Sequence, residues 1–137
     1  MMYQKNPYEI MPFAKKGSLE KFPCSILALG LALMKSGATS LEKLGVTVDE
    51  YGYCQLRNMG DAIKIHFKVK AYRYYQTNNR KKLTEYITFP GKYIVCVKGH
   101  YIYVEDSNYY SFFDNLDDYV VAYWALDELL SEVKGND

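Results

Sequence analysis

The sequence predicts an α+β domain with helices first and an antiparallel sheet after them. Three observations carry this. Residues 24–34 form a nearly unbroken apolar run, with Pro23 just before and Gly37 just after. Residues 53–65 repeat apolar side chains every three or four positions, at Tyr53, Leu56, Met59 and Ile63. From Lys92 onward, short aromatic and β-branched segments alternate with turn residues. A helix layer packed on a sheet is the stable solution for that order.

Taken along the chain, residues 1–22 are polar, are punctuated by Pro7, Pro12 and Gly17, and read as an extended arm. Residues 23–137 read as one domain, without a repeat or a linker. The first helix starts at Pro23 and ends before Gly37, since proline suits the first helical position and glycine the residue past the end. Ile26, Leu27, Leu29, Leu31, Leu33 and Met34 point all round its wheel. A helix apolar on every side is a buried one. Residues 40–44 predict a short helix stopped by Gly45, and residues 53–65 an amphipathic helix. Residues 67–75 alternate as a strand, Asn78 and Asn79 turn the chain, and residues 83–87 form a short helix closed by Pro90 and Gly91. Strands follow at 93–98 and 101–104, then a turn at Asp106, Ser107 and Asn108. A strand at 109–113, a turn at Asn115, Leu116 and Asp117, a strand at 119–124 and a terminal helix at 126–133 complete the prediction.

Composition narrows the function. The formal net charge is +1, from 17 Lys+Arg and 16 Asp+Glu, which is no footprint for duplex nucleic acid. The densest basic stretch, residues 64–82, interleaves cations with Tyr72, Tyr74 and Tyr75. Single-strand binders use such mixtures, but a solvated strand and loop accounts for this one, and no nucleic-acid partner is expected. The 15 tyrosines suit half-buried strands or a protein interface. The first 16 residues lack the apolar stretch of an export signal, and the run at 24–34 is far shorter than a membrane span. Three cysteines make no secreted disulfide framework. These features predict a cytoplasmic protein with reduced thiols and no membrane association. No Cys-x-x-Cys, histidine pair at ligand spacing or Gly-rich phosphate loop is present, so neither a metal nor a cofactor is expected.

The chemistry-bearing residues are few. Cys24 opens the apolar helix, where unpaired N–H groups and the macrodipole favour negative charge. That setting suits a nucleophilic thiolate, which also needs a base. The sequence holds two histidines, His66 and His100. His100 follows Gly99 at a strand junction, and glycine allows close approach of another backbone or a substrate. Asp114, at the end of the next strand, is the candidate to orient the imidazole, with Asn115 beside it as a substitute. Asp106 lies in the turn itself and points away. The rival pair, Cys54 and His66, sits at either end of one predicted helix, about 18 Å apart by helical rise and out of hydrogen-bonding reach. Cys96 falls among apolar strand residues and reads as core.

Pro23 to Leu33, followed later by Gly99-His100, a tight turn and an aromatic-rich strand ending in Asp114, resembles the small papain-like cysteine peptidases of bacteriophage genomes. These are similar to the peptidase domain of bacteriocin-processing transporters. The resemblance covers roughly residues 20–126. It implies a papain-like fold, a buried nucleophile helix on an antiparallel sheet. It also implies a thiol hydrolase with Cys24 as nucleophile, His100 as general base and Asp114 orienting it. The substrate would be a peptide or protein, cleaved at an amide or isopeptide bond. The oxyanion position, six residues before the cysteine and often Gln in papain-like enzymes, is Ser18 here. Pro23 and Ser111 stand where the relatives often carry Asp. A degenerate member would instead bind a host or defence protein in the host cytoplasm. Tyr72, Tyr74, Tyr75, Tyr109 and Tyr110 would supply its interface. Tyr109, Tyr110 and Asn115 are the candidate binding residues.

Overall fold

The computed structural model describes residues 2–38, 44–86 and 90–130. Strand β1 (Tyr3–Lys5) precedes helix α1 (Cys24–Lys35), and helix α2 (Leu56–His66) runs straight into strand β2 (Phe67–Arg73). A single-turn helix α3 (Leu83–Tyr86) leads to β3 (Lys92–Val97), β4 (His100–Glu105), β5 (Asn108–Tyr110) and the long β6 (Val120–Leu129). The strands form one six-stranded sheet in the order β1-β5-β4-β3-β6-β2. The architecture is mixed α+β, as the sequence predicts.

Local chemistry sets the hairpins that frame the site. Lys98 (φ 47°) and Gly99 (φ 75°) turn β3 into β4, and Asp106 (φ 47°) and Ser107 (φ 69°) turn β4 into β5. Two successive positive-φ residues match the right-handed twist of the flanking strands. Register follows: Val97 faces His100 and Glu105 faces Asn108.

The sheet separates two apolar clusters. On one face Tyr101, Tyr103, Ile94 and Cys96 meet Leu29, Leu31 and Leu33 of α1 and Met59 and Ile63 of α2. On the other, Val95, Val97, Ile102, Val104 and Val120 pack with Leu83, Tyr109 and Met2. Strands β3 and β4 are therefore apolar along nearly their whole length, as expected where both faces are covered. Leu29 and Leu31 have no exposed surface, and each contributes roughly 1.5–3 kcal/mol by burial.

Several expectations are corrected. The first 22 residues are built into the fold: β1 pairs with β5, 3-10 turns occupy Pro7–Glu9 and Leu19–Lys21, and Met2, Met11 and Leu19 are buried. The β1–β5 pairing is parallel, so the sheet is not wholly antiparallel. Helix α2 starts at Leu56, not Tyr53, because the Asp49 carboxylate accepts the N–H groups of Tyr51 and Tyr53 and holds that stretch in a turn. Strand β5 stops at Tyr110, short of Phe113. The expected terminal helix is contradicted over residues 126–129, which extend β6. There Val69 pairs with Leu126 and Phe67 with Leu129, so tertiary pairing overrides local helix propensity. Of the expected helices, residues 40–43, Ile87 and residues 131–133 lie outside the described residues.

Candidate functional site

Helix α1 lies across β4 with Cys24 at its start. The Cys24 Sγ accepts the backbone N–H of Tyr101 at 3.4 Å. That N–H is free because Val97 and His100 close the hairpin as the hydrogen-bonded pair, so the amide of Tyr101 turns to the outer edge of β4. Within β4, strand β5 reaches only Tyr103, Val104 and Glu105, which leaves the edge at Tyr101 open to the helix. The thiol is half-buried, at a helix N-terminus and on a strand edge at once.

His100 is the first residue of β4 and is half-buried. Its ring meets Phe113 edge-on, with centroids 5.8 Å apart. Burial pushes its pKa below the ordinary imidazole value, and the Asp118 carboxylate partly offsets this. The imidazole is thus neutral at pH 7, the form a general base needs. Cys24 and His100 share no hydrogen bond. The thiol is held by the peptide next to the histidine rather than by the ring.

Asp114, the expected orienting carboxylate, is hydrogen-bonded within its own turn. Asp114 Oδ1 accepts the Tyr109 hydroxyl at 3.3 Å and the Leu116 N–H at 3.1 Å, so that carboxylate ties its own turn together. Asp118 is the carboxylate whose charge acts on His100. It accepts the Asn115 side-chain N–H at 2.9 Å and lies 3.8 Å from Lys98 Nζ. Asn115 is buried, and its Oδ1 has no hydrogen-bond partner. The Ser18 hydroxyl donates to the Lys15 carbonyl, inside its own turn. Tyr109 and Tyr110, expected at a binding surface, are 1% and 9% exposed. They are covered because they point to opposite faces of β5 and each meets an apolar cluster there, Tyr110 on the helix side and Tyr109 on the other.

Sequence reasoning missed the residues around the thiol. Tyr101 donates its hydroxyl to the Cys54 carbonyl at 2.7 Å, and its strand partner is Cys96. All three cysteines thus border one tyrosine in one cluster. Burial pushes the Cys96 thiol up to about 12 and raises Cys54 as well, so both stay protonated at neutral pH. The Tyr53 ring lies over Gly99, where an added Cβ would stand 3.0 Å from its Cε2. Ser25, next to Cys24, buries a hydroxyl with no partner. The rival pair lies at opposite ends of α2: the Cys54 thiol donates to the Gln55 carbonyl at 3.5 Å just before the helix, and the His66 Nε2 hydrogen-bonds the Leu44 carbonyl at 3.1 Å from its last residue. No group of three or more His, Cys, Asp or Glu placed to hold a metal ion occurs among the described residues. None of the described helices is long and apolar enough to cross a membrane.

No family model, curated protein or solved structure matches this chain.

Proposed function

We propose that this protein is a papain-like thiol hydrolase that cleaves an amide or isopeptide bond of a peptide or protein, with Cys24 as nucleophile and His100 as base. One observation supports it above all. The Cys24 sulfur lies 3.4 Å from the N–H of Tyr101, 77 residues away in sequence and adjacent to His100. The helix start and the Gly99–His100 hairpin therefore converge. In this reading His100 takes the thiol proton as the sulfur attacks the carbonyl carbon, then gives it to the leaving amine. Water next attacks the thioester, releasing the acid and restoring the thiol. The first-turn N–H groups of α1, which have no intrahelical acceptor, hold the oxyanion in place of Ser18. Asp118, braced by Asn115, takes the orienting role that the sequence assigned to Asp114. Catalytic hydrogen bonds are often long before substrate binds, which accommodates the missing Cys24–His100 bond.

The test is the alkylation rate of each cysteine against pH, read by peptide mass spectrometry. In native protein Cys24 should react and the buried Cys54 and Cys96 should not. His100→Ala should abolish the reaction of Cys24 on the acid side of an ordinary thiol's range. Ordinary thiol behaviour of Cys24 in both proteins would overturn the reading.

A second reading keeps the fold and drops the chemistry: a protein of phage origin that binds a host or defence protein. The thiol bonded to an amide rather than an imidazole, and Asp114 engaged by Tyr109, favour it. Under that reading Cys24→Ser leaves partner binding intact.

A further inference from the structure

A groove runs between α2 and the β2 side of the sheet. One part is a cavity of about 210 Å³ lined by Arg57, Gly60 and Lys64 from α2, Ala71 and Arg73 from β2, and Trp124 from β6. It adjoins a second cavity of about 270 Å³ that shares Arg57 and Arg73 and extends to Tyr53. The register explains the opening. Ala71 pairs with Trp124 and Arg73 with Ala122, so these four share the sheet face that looks toward α2. Gly60 faces them from the helix, and an added Cβ there would stand 3.3 Å from Trp124 Nε1. Small residues on both walls leave the indole as the apolar floor.

The rim is cationic. Arg57, Lys64 and Arg73 are exposed, with Asp61 the one acidic residue in the lining. Arg57 makes no ion pair among the described residues, and the Arg73 guanidinium stacks over Tyr75 at 4.6 Å, leaving its fork free. Guanidinium forks take carboxylates in bidentate fashion. β2 is also an edge strand among the described residues, with only β6 beside it. Its outer backbone groups are a template for an added strand.

We infer that this groove binds an acidic, extended polypeptide segment. The segment lies along the edge of β2, with carboxylates on Arg57 and Arg73 and an apolar side chain on Trp124. A polypeptide fits better than a nucleic acid. A phosphate backbone needs a continuous basic track, whereas here Asp61 interrupts the wall and the whole chain carries only +1. The inference holds whether or not Cys24 is a nucleophile.

Trp124 is the chain's one tryptophan, so its fluorescence reports on the groove directly. The probe is a synthetic peptide alternating Glu with Val and Phe, titrated into the full chain carrying Cys24→Ala, which prevents turnover. Its Gln-for-Glu counterpart and oligothymidylate are run in parallel. The Glu peptide should shift the Trp124 emission saturably, and the Gln peptide should bind about tenfold or more weakly, as expected for loss of charge-assisted hydrogen bonds. Arg57→Glu with Arg73→Glu should weaken the Glu peptide similarly. Asp61→Asn should tighten it, a gain that misfolding cannot mimic. Equal binding of the Glu and Gln peptides, no saturable shift up to the solubility limit, no tightening by Asp61→Asn, or oligothymidylate outcompeting the Glu peptide would each overturn the inference.

Discussion

At His100, burial and a nearby carboxylate act in opposite directions, and burial prevails. The folded chain therefore binds the imidazole proton less readily than the unfolded chain does. The corresponding stability is fully present above the unfolded value of about 6.5 and is lost as pH falls below it. Urea denaturation at pH 7.5 and 5.5 should show a larger acid loss in the wild type than in His100→Gln. Asp118→Asn, which removes the offsetting charge, should enlarge that loss. One residue earlier, Gly99→Ala places a side chain at φ 75° and against the Tyr53 ring. The left-handed backbone alone costs about 1–2 kcal/mol, and the denaturation midpoint should fall accordingly. The places of Cys24 at a helix start and of His100 at a strand junction were legible in the sequence, because each carries a local signal. The approach of the Asp118 charge to His100 was not, because it depends on the path of the loop after β5, where the Tyr109 hydroxyl and the Leu116 amide bind Asp114. Nor was the Tyr101 contact, since a backbone amide leaves no mark in the side-chain sequence.

Helix α1 is the element the sequence described best, because an apolar wheel with a proline before it and a glycine after it admits few other readings. Leu29 sits at its centre with no exposed surface. Leu29→Ala should cost roughly 2–5 kcal/mol, measured by chemical denaturation, through lost transfer energy and a residual cavity. The ends of the sheet were the least legible. Strand β1 is three residues long and polar, and it exists because Tyr3, Gln4 and Lys5 align with Asn108, Tyr109 and Tyr110. The end of β6 reads locally as helix and is extended by its ladder with β2. Deleting residues 1–5 should uncover β5 and remove the packing of the buried Met2. Amide hydrogen exchange at 108–110 should then quicken, while the amides of α1 change less.

For the molecule as a whole, the α+β class was legible and the strand order was not, since β2 pairs with β6 and β1 with β5 across long stretches of chain. Such non-local pairing closes large loops before contacts compensate for the lost entropy. Stopped-flow refolding should accordingly fall in the range of about milliseconds to seconds rather than microseconds. The same layout has a consequence during synthesis. Helix α1 leaves the ribosome well before β3 and β4, the strands that cover it. At ~5–20 residues per second, the interval between completing α1 and completing β4 is roughly 4–14 s. Through that interval a helix apolar on every side has no sheet beneath it, and β1 has no partner to join. Aggregation during expression is thus governed by translation speed and chaperone occupancy as well as by the stability of the finished fold.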